Sequence, residues 1–142
     1  MAMTVHVDIV SAEREIFSGL VEMMFAPAVM GEVGIAPGHT PLMTPLGPGE
    51  VRLQLSDGNE EAYYIDGGIL EVQPNVVTVL SDTALRAADL DEEAALKAKQ
   101  AAEEALTDRS AELDLAKAQA ALAEAVAQLQ VISRLRRRSG RG

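Results

Sequence analysis

Residues 5–80 form short runs in which apolar and polar positions alternate. In VHVDIV (residues 5–10) and VRLQL (residues 51–55), every second residue is apolar, so the apolar side chains of each run lie on the same side of a strand. The intervening segments SDGNE, IDGG and QPN contain residue types that form tight turns. No helix-length run separates these strands. The pattern predicts an antiparallel β-sandwich or barrel of short strands rather than a parallel α/β sheet.

The pattern becomes helical after residue 84. From residue 89 to residue 132 the chain contains no Gly or Pro and is rich in Ala, the strongest helix former. Asp89 followed by Glu92 resembles a capping box, which predicts a first helix that runs to about Leu106.

A second helix is predicted after the polar stretch TDRS at residues 107–110, where Ser110 is the expected cap. A link this short favours an antiparallel helical hairpin. The second helix carries apolar residues at spacings of three and four, which predicts one apolar stripe. These residues are Leu115, Ala118, Leu122, Val126, Leu129 and Ile132.

The fold class predicted from these patterns is α+β. Residues 1–84 are expected to form the β-sandwich and residues 85–88 a linker. Residues 89–135 are expected to form the two-helix hairpin and residues 136–142 a flexible basic tail.

Charge is distributed unevenly along the chain, which has a net charge of −10. Residues 1–133 hold all 22 acidic side chains against seven basic ones, whereas the last nine residues, RLRRRSGRG, hold the other five. The acidic body argues against nucleic-acid binding, which requires a basic face. The absence of Cys excludes disulfides and Cys-based zinc sites. No signal peptide or membrane-spanning run is visible, so we expect a soluble, cytoplasmic protein.

The segment GEVGIAPGHTPL, residues 31–42, is the strongest candidate for a functional loop. His39 lies there between two prolines, and the other histidine, His6, is predicted on the polar side of a strand. The nucleotide-binding, zinc-protease and nucleophile-elbow motifs GxxxxGK[ST], GxGxxG, HExxH and GxSxG are absent. An interface or structural role for His39 is therefore favoured. A hydrolase that uses His39 with Glu32 remains the catalytic alternative.

Four stretches together identify a resemblance that covers nearly the whole chain. MAMTVHVDIVSAEREIFSG, GEVGIAPGHTPL, GGILEVQPNVVTVLSDTA and the Ala-rich hairpin resemble the epsilon subunits of bacterial F-type ATP synthases in order and spacing. The resemblance implies a ten-stranded β-sandwich followed by two helices. It also implies a central-stalk subunit without an active site or cofactor, peripheral to the cytoplasmic face of the bacterial inner membrane.

The resemblance further implies partners for each part of the chain. The sandwich is expected to bind the gamma subunit and the c-ring, and the helices are expected to contact the alpha and beta subunits of the catalytic head and to restrain ATP hydrolysis. The docking loop at the c-ring would be the segment around residues 31–42. Its expected contact residues are Gly31, Glu32, Gly34, Gly38 and His39.

The resemblance also bears on regulation. Arg134, Arg136, Arg137 and Arg138 are expected to pair with an acidic segment of the beta subunits when the helices extend.

Some relatives bind ATP through an [IL]DxxRA motif on the hairpin. The matching stretch here, LDEEAA, keeps Leu90 and Asp91 but has Ala94 in place of Arg. The second helix carries Glu124 and Gln128 where nucleotide binders carry basic residues, which leaves Lys117 nearby. We therefore expect weak or absent ATP binding. A coupling-only subunit and an ATP-sensing module are the alternatives to an inhibitory role.

Overall fold

The protein is described by a computed structural model, which defines residues 3–107 and 115–139. It divides into two compact units, Met1–Ala87 and Ala88–Gly142. The first unit is built from strands and the second from helices, as the change of sequence pattern predicts.

Seven strands form the first unit within the described residues, and three of them are 13 or 14 residues long. Each long strand occupies sequence that the alternation divides into shorter runs. The segment IDGG (residues 65–68), predicted as a turn, lies inside the fifth strand instead. Register shifts also interrupt the pairing of the second and fourth strands between Phe25 and Ala28, where a bulge or irregularity replaces the regular ladder. The strands are β1 (Val5–Ser11), β2 (Glu15–Ala28), β3 (Gly31–Ile35), β4 (Leu42–Leu55), β5 (Glu60–Val72), β6 (Val76–Ser81) and β7 (Ala84–Arg86).

The strands pair in the order β1-β6-β5-β4-β2-β3, and β1 also pairs with β2. Because β1 contacts both β6 and β2, the pairings close a circuit around one core. The predicted β-sandwich is confirmed, with one difference: β1 and β6 are parallel, whereas the other pairs are antiparallel. Strand β3 lies outside the circuit and pairs with β2.

The core consists of the inward side chains of these strands. Val5, Val7 and Ile9 are buried, as the alternation predicts, and so are Val51 and Leu53. The fully buried aromatic residue Tyr63 packs in the same cluster. Apart from Val5, Val7, Ile9, Val51, Leu53 and Tyr63, the core consists of Val21, Met24, Ala26, Ile35, Leu46, Ile65, Leu70, Val72, Val77, Val79 and Ala84.

The second unit contains two helices, α1 (Glu92–Thr107) and α2 (Leu115–Ser139). They are antiparallel, because Glu92 at the start of α1 is hydrogen-bonded to Arg136 near the end of α2. The two-helix hairpin is therefore confirmed, and α1 ends one residue beyond the predicted Leu106.

The predicted cap of α1 is wrong. Asp89 lies in a short 3-10 turn, Ala87–Asp89, and the α-helix begins only at Glu92. Asp91 is the cap instead: the Ala94 N–H donates to its Oδ1 at 3.2 Å. The predicted cap of the second helix, Ser110, lies outside the described residues.

Two boundaries also differ from the predictions. Leu85 and Arg86, predicted as linker, belong to strand β7. Arg136, Arg137 and Arg138, predicted in a flexible tail, lie within α2. Arg is a good helix former, and positive charge near a helix C-terminus interacts favourably with the helix dipole, so α2 continues through the basic cluster.

The buried positions of α2 also differ from the predicted stripe. Ala118 is buried, but Leu115 is 47% exposed, and Ala125 and Val131 are buried although neither belongs to the predicted set. The other predicted members, Leu122, Val126, Leu129 and Ile132, are half-buried.

Candidate functional site

The candidate loop begins at the tight turn between β2 and β3. Val29 and Met30 form this turn and are 59% and 94% exposed. Gly31 follows with φ +129°, a backbone conformation that residues other than glycine rarely adopt. The turn thus presents two apolar side chains to solvent from a backbone held by strand pairing on both sides.

A second turn lies between β3 and β4. The His39 N–H donates to the Ala36 carbonyl at 3.1 Å, with Pro37 and Gly38 between them. Gly38 has φ +80°, and proline followed by a residue of positive φ is the pattern of a type II turn. The His39 Nδ1–H donates to the Thr40 carbonyl at 2.7 Å, which orients the imidazole ring. Gly31 and Gly38 therefore serve the backbone of this segment.

Gly34 has a structural role on strand β3. A Cβ at this position would lie 2.9 Å from Met23 Cε and 3.2 Å from Phe25 Cε1. Gly34 therefore leaves space for two side chains of the neighbouring strand.

Glu32 accepts a hydrogen bond from Arg52, which is not among the predicted site residues. Arg52 Nη2 on β4 donates to Glu32 Oε1 at 3.1 Å, and the Arg52 guanidinium lies 4.4 Å from the centre of the Phe25 ring. Arg52 Nε also lies 3.6 Å from Oε1 of Glu50, a carboxylate with no exposed side-chain surface. Glu32 itself remains 48% exposed.

The structure does not pair His39 with Glu32 as a catalytic unit. His39 bonds a neighbouring backbone carbonyl, and Glu32 bonds Arg52. A general base requires a partner that orients it and a nucleophile within hydrogen-bond reach. The predicted residues 31–39 therefore lie together in one segment, but their contacts fit a shaped surface better than a catalytic centre.

A serine, a histidine and an aspartate do meet on the outer side of β1 and β2. His6 Nε2 lies 2.9 Å from Asp8 Oδ1 and 3.1 Å from Ser18 Oγ, and Ser18 Oγ–H donates to Asp8 Oδ1 at 2.7 Å. A catalytic triad needs the carboxylate and the hydroxyl on opposite ring nitrogens, whereas both contact Nε2 here. The Ser18 hydrogen bond, together with the hydrogen bond and charge of His6, lowers the Asp8 pKa against the opposing effect of burial.

Four basic residues of the second unit lie in two different environments. Arg136 is hydrogen-bonded to Glu92 across the hairpin, and this bond raises the pKa of Arg136. Arg134 and Arg137 line a groove of about 380 Å³ together with Lys99 of α1. The groove thus brings Lys99, which also pairs with Glu103 at 3.9 Å, together with two arginines that are far from it in the sequence.

The stretch that resembles an ATP motif has a structural role. The Asp91 side chain caps α1 by accepting the Ala94 N–H, and Ala94 is exposed at the position where nucleotide binders carry Arg. Neither residue lies in the cationic groove.

Two domain families match this chain in sequence. The "ATP synthase, Delta/Epsilon chain, beta-sandwich domain" matches residues 4–87, and the "ATP synthase, Delta/Epsilon chain, long alpha-helix domain" matches residues 88–133. The chain belongs to the ATP synthase delta/epsilon chain family. This membership confirms the resemblance to bacterial F-type epsilon subunits that the sequence motifs indicate.

Members of the delta/epsilon family resemble the chain over its full length. It is 70% identical over 140 residues to the ATP synthase epsilon chain of Nitrosococcus oceani, which covers 99% of this chain and 100% of that protein. It is 61% identical to ATP synthase epsilon chain 1 of Methylococcus capsulatus, which covers 96% of this chain and 98% of the relative.

Solved structures share the delta/epsilon fold at low sequence identity. A chain from the cryo-EM structure of the Euglena gracilis mitochondrial ATP synthase (OSCP/F1/c-ring) has a TM-score of 0.76 at 21% identity, covering 86% of this chain and 77% of that one. A chain from the Tetrahymena thermophila mitochondrial ATP synthase (central stalk/c-ring) has a TM-score of 0.52 at 12% identity, covering 63% and 69%. These similarities concern the fold.

Among residues 3–107 and 115–139, no group of three or more His, Asp or Glu side chains has the arrangement of a metal site. Within the same residues, no helix is long and apolar enough to cross a membrane.

Proposed function

We propose that this chain is a non-catalytic central-stalk subunit of an F-type ATP synthase, which couples the rotor to the c-ring of the membrane. The full-length match with the Nitrosococcus oceani ATP synthase epsilon chain is the observation that carries this proposal. The complex would act in proton-driven ATP synthesis. The chain would bind the gamma subunit as well and would lie at the cytoplasmic face of the bacterial inner membrane.

The docking loop, residues 31–42, together with the turn residues Val29 and Met30 before it, is the segment proposed to contact the c-ring. Val29 and Met30 provide exposed apolar area, and a methionine side chain adapts to irregular partner surfaces. Glu32 provides a half-exposed hydrogen-bond acceptor beside them. Strand pairing with β2 fixes the backbone of residues 31–35, and the Pro37–Gly38 turn fixes the backbone that follows.

A rotor joint transmits torque through shape and rigidity, without bond chemistry. The docking loop supports this role because its contact residues are held by strand pairing, hydrogen bonds and a cation–π contact. Preorganised contact residues lose less conformational entropy on binding than mobile ones.

The helical hairpin is proposed to regulate ATP hydrolysis by contact with the alpha and beta subunits. In an extended arrangement, Arg134, Arg136, Arg137 and Arg138 would meet an acidic segment of the beta subunits. Arg136 has an acidic partner already, Glu92, when the hairpin is closed. Glu92 in the closed hairpin and the acidic segment of the beta subunits would therefore compete for the Arg136 guanidinium.

Docking is tested by comparing Glu32→Lys with Glu13→Lys in reconstituted ATP synthase vesicles. Glu13 is exposed in the turn before β2, at the end of that strand opposite the docking loop, and undergoes the same change of charge. We expect Glu32→Lys to reduce proton-driven ATP synthesis while Glu13→Lys does not. Normal synthesis with Glu32→Lys in a folded chain would contradict c-ring docking through this loop.

Regulation is tested by adding the intact chain to a catalytic head that lacks it and measuring ATP hydrolysis. A rate that falls and saturates supports inhibition by the hairpin. A rate that does not change supports the coupling-only alternative and excludes the regulatory part of the proposal.

A further inference from the structure

Strand β3, which carries Glu32, has β2 as its strand partner and lies at the end of the pairing order. An edge strand is held by backbone hydrogen bonds on one side only. Arg52 adds a side-chain contact to Glu32 from β4, which lies on the other side of β2.

The register explains how Arg52 reaches across β2. Phe25 on β2 is opposite Arg52 on one side and opposite Gly34 on the other. Because Gly34 has no side chain, the Phe25 ring fits beside β3, and the Arg52 guanidinium lies over that ring. The Arg52 Nη2 then reaches Glu32, two residues from Gly34.

The other end of the contact is a buried carboxylate on β4, two residues before Arg52. The Glu50 side chain is fully buried, and buried carboxylates require compensating partners. Arg52 Nε lies 3.6 Å from Glu50 Oε1, and the Arg52 side chain is only 24% exposed. The guanidinium is therefore held by a buried carboxylate, an aromatic ring and the docking-loop carboxylate together.

We propose that Arg52 positions Glu32 to accept a hydrogen bond from the c-ring. This inference rests on the proposed function of the docking loop. Arg52 bonds Oε1 of Glu32, and a carboxylate can accept about four hydrogen bonds in all, so a donor on the ring adds to the Arg52 contact without replacing it. The partner group is a hydrogen-bond donor on a c-subunit loop. Arg52 fixes the direction from which that donor approaches.

The test measures the affinity of the full-length chain for ATP synthase depleted of this subunit, with Glu32→Gln, Arg52→Met and the double variant. Arg52→Met keeps an unbranched apolar stem but removes the guanidinium. If Arg52 acts through Glu32, each single variant raises the Kd by about two- to fivefold, the range expected for a partly exposed ion pair. The double variant then binds no more weakly than Glu32→Gln alone, because Arg52 acts only through the Glu32 carboxylate, which that variant already lacks.

Arg14→Met is the matched control. Arg14 is exposed in the turn between β1 and β2, and its replacement changes the net charge equally. We expect its Kd to equal that of the unmodified chain. Additive losses in the double variant, or an Arg52→Met chain that folds and binds normally, would overturn the proposal.

Arg52→Lys separates positioning from stabilisation of the fold. Lysine retains a positive charge near the buried Glu50 but lacks the planar fork that contacts Glu32, Glu50 and the Phe25 ring together. We expect Arg52→Lys to melt close to the unmodified chain and still to bind weakly. Normal binding by Arg52→Lys would show that charge alone suffices and would overturn the positioning role.

The outcomes also distinguish this inference from the proposed function. If Glu32→Gln weakens binding and Arg52→Lys and Arg52→Met do not, the docking loop stands and the positioning role of Arg52 fails. If Glu32→Gln itself has no effect on binding or on proton pumping per ATP hydrolysed, the docking role of the carboxylate fails, and the inference about Arg52 fails with it.

Discussion

Arg136, near the end of α2, hydrogen-bonds Glu92, the first residue of α1. The contact joins residues that are 44 positions apart in the chain and ties the two ends of the hairpin together. Because the Arg136 and Glu92 side chains are 67% and 43% exposed, solvent screens the pair and it stabilises the hairpin only weakly. A weak closing contact is suitable for an element that exchanges between two arrangements.

Glu92→Gln is predicted to open the hairpin more often. Glutamine removes the charge that Arg136 meets in the closed state. With one spin label on each helix, we expect the distance distribution of the full chain to gain a longer component. If opening leads to inhibition, the variant also inhibits ATP hydrolysis by the catalytic head at lower concentration.

Glu93→Gln is the control for this prediction. Glu93 carries the same charge one residue later, but it pairs with Lys97 within α1 at 3.3 Å and does not bridge the helices. Its distance distribution should match that of the unmodified chain. Equal broadening in both variants would show that helix charge, rather than the Glu92–Arg136 contact, controls opening.

Gly68→Ala is predicted to destabilise the β-sandwich severely. A Cβ at Gly68 would lie 1.9 Å from the Leu80 carbonyl oxygen, and the backbone has φ +135°. Backbone strain and the shift of strand β6 together should cost about 3 kcal/mol or more of the free energy of unfolding, measured by urea titration.

Gly47→Ala provides the comparison on a neighbouring strand. The nearest atom to a Cβ there is the Pro27 carbonyl oxygen at 4.0 Å, an ordinary contact distance. We expect a change of less than about 1 kcal/mol in this variant. Similar losses at both positions would contradict the role assigned to the Gly68 backbone.

The β-core could be predicted from the sequence because a strand with one buried face has an apolar residue at every second position. The alternation in VHVDIV identifies Val5, Val7 and Ile9 as core, and all three are buried. The bends that merge short runs into long strands, and the parallel pairing of β1 with β6, depend on contacts distant in sequence. The alternation of apolar and polar residues within a strand does not indicate these bends or this pairing.

The candidate loop could be identified from the sequence, but its supporting contacts could not. Glycine and proline mark residues 31–42 as a shaped segment. Arg52 lies 20 residues from Glu32, on a strand that the sequence could not place beside β2. The alternation of VRLQL does put Arg52 on the side opposite the core, and that exposed-face arginine is the one available signal.

The sequence alone could not identify which aspartate caps α1. Asp89 and Asp91 are both acidic, and each precedes the Ala-rich run. The 3-10 turn Ala87–Asp89 includes the first of them, so the α-helix begins later and Asp91 becomes the cap. The choice between the two acids depends on how strand β7 ends.

The Ser18–Asp8 hydrogen bond is predicted to make stability depend on acid pH. The pKa of Asp8 is lowered from 3.8 in the folded state, first by Ser18, so the unfolded chain binds a proton more readily. The contribution to stability is present above the unfolded pKa, near pH 4, and is lost as the pH falls through the lower, folded pKa. Urea titrations of the unmodified chain between pH 6 and about pH 2 should show this loss.

Ser18→Ala should weaken that acid dependence because the Asp8 pKa returns towards its ordinary value. Ser56→Ala, at an exposed turn residue of the same unit, should leave the dependence unchanged. A Ser18→Ala chain that loses stability at low pH as steeply as the unmodified chain would show that another group dominates.

ATP binding to the hairpin is predicted to be weak, with a Kd above about 1 mM by calorimetry. Asp91 is engaged as the helix cap and Ala94 offers no cation. The cationic groove of Lys99, Arg134 and Arg137 is the place where a polyanion would bind most favourably by charge. If calorimetry gave a micromolar Kd, Arg137→Gln would locate the site: loss of binding would assign it to the groove, and retained binding would assign it to the Asp91 region.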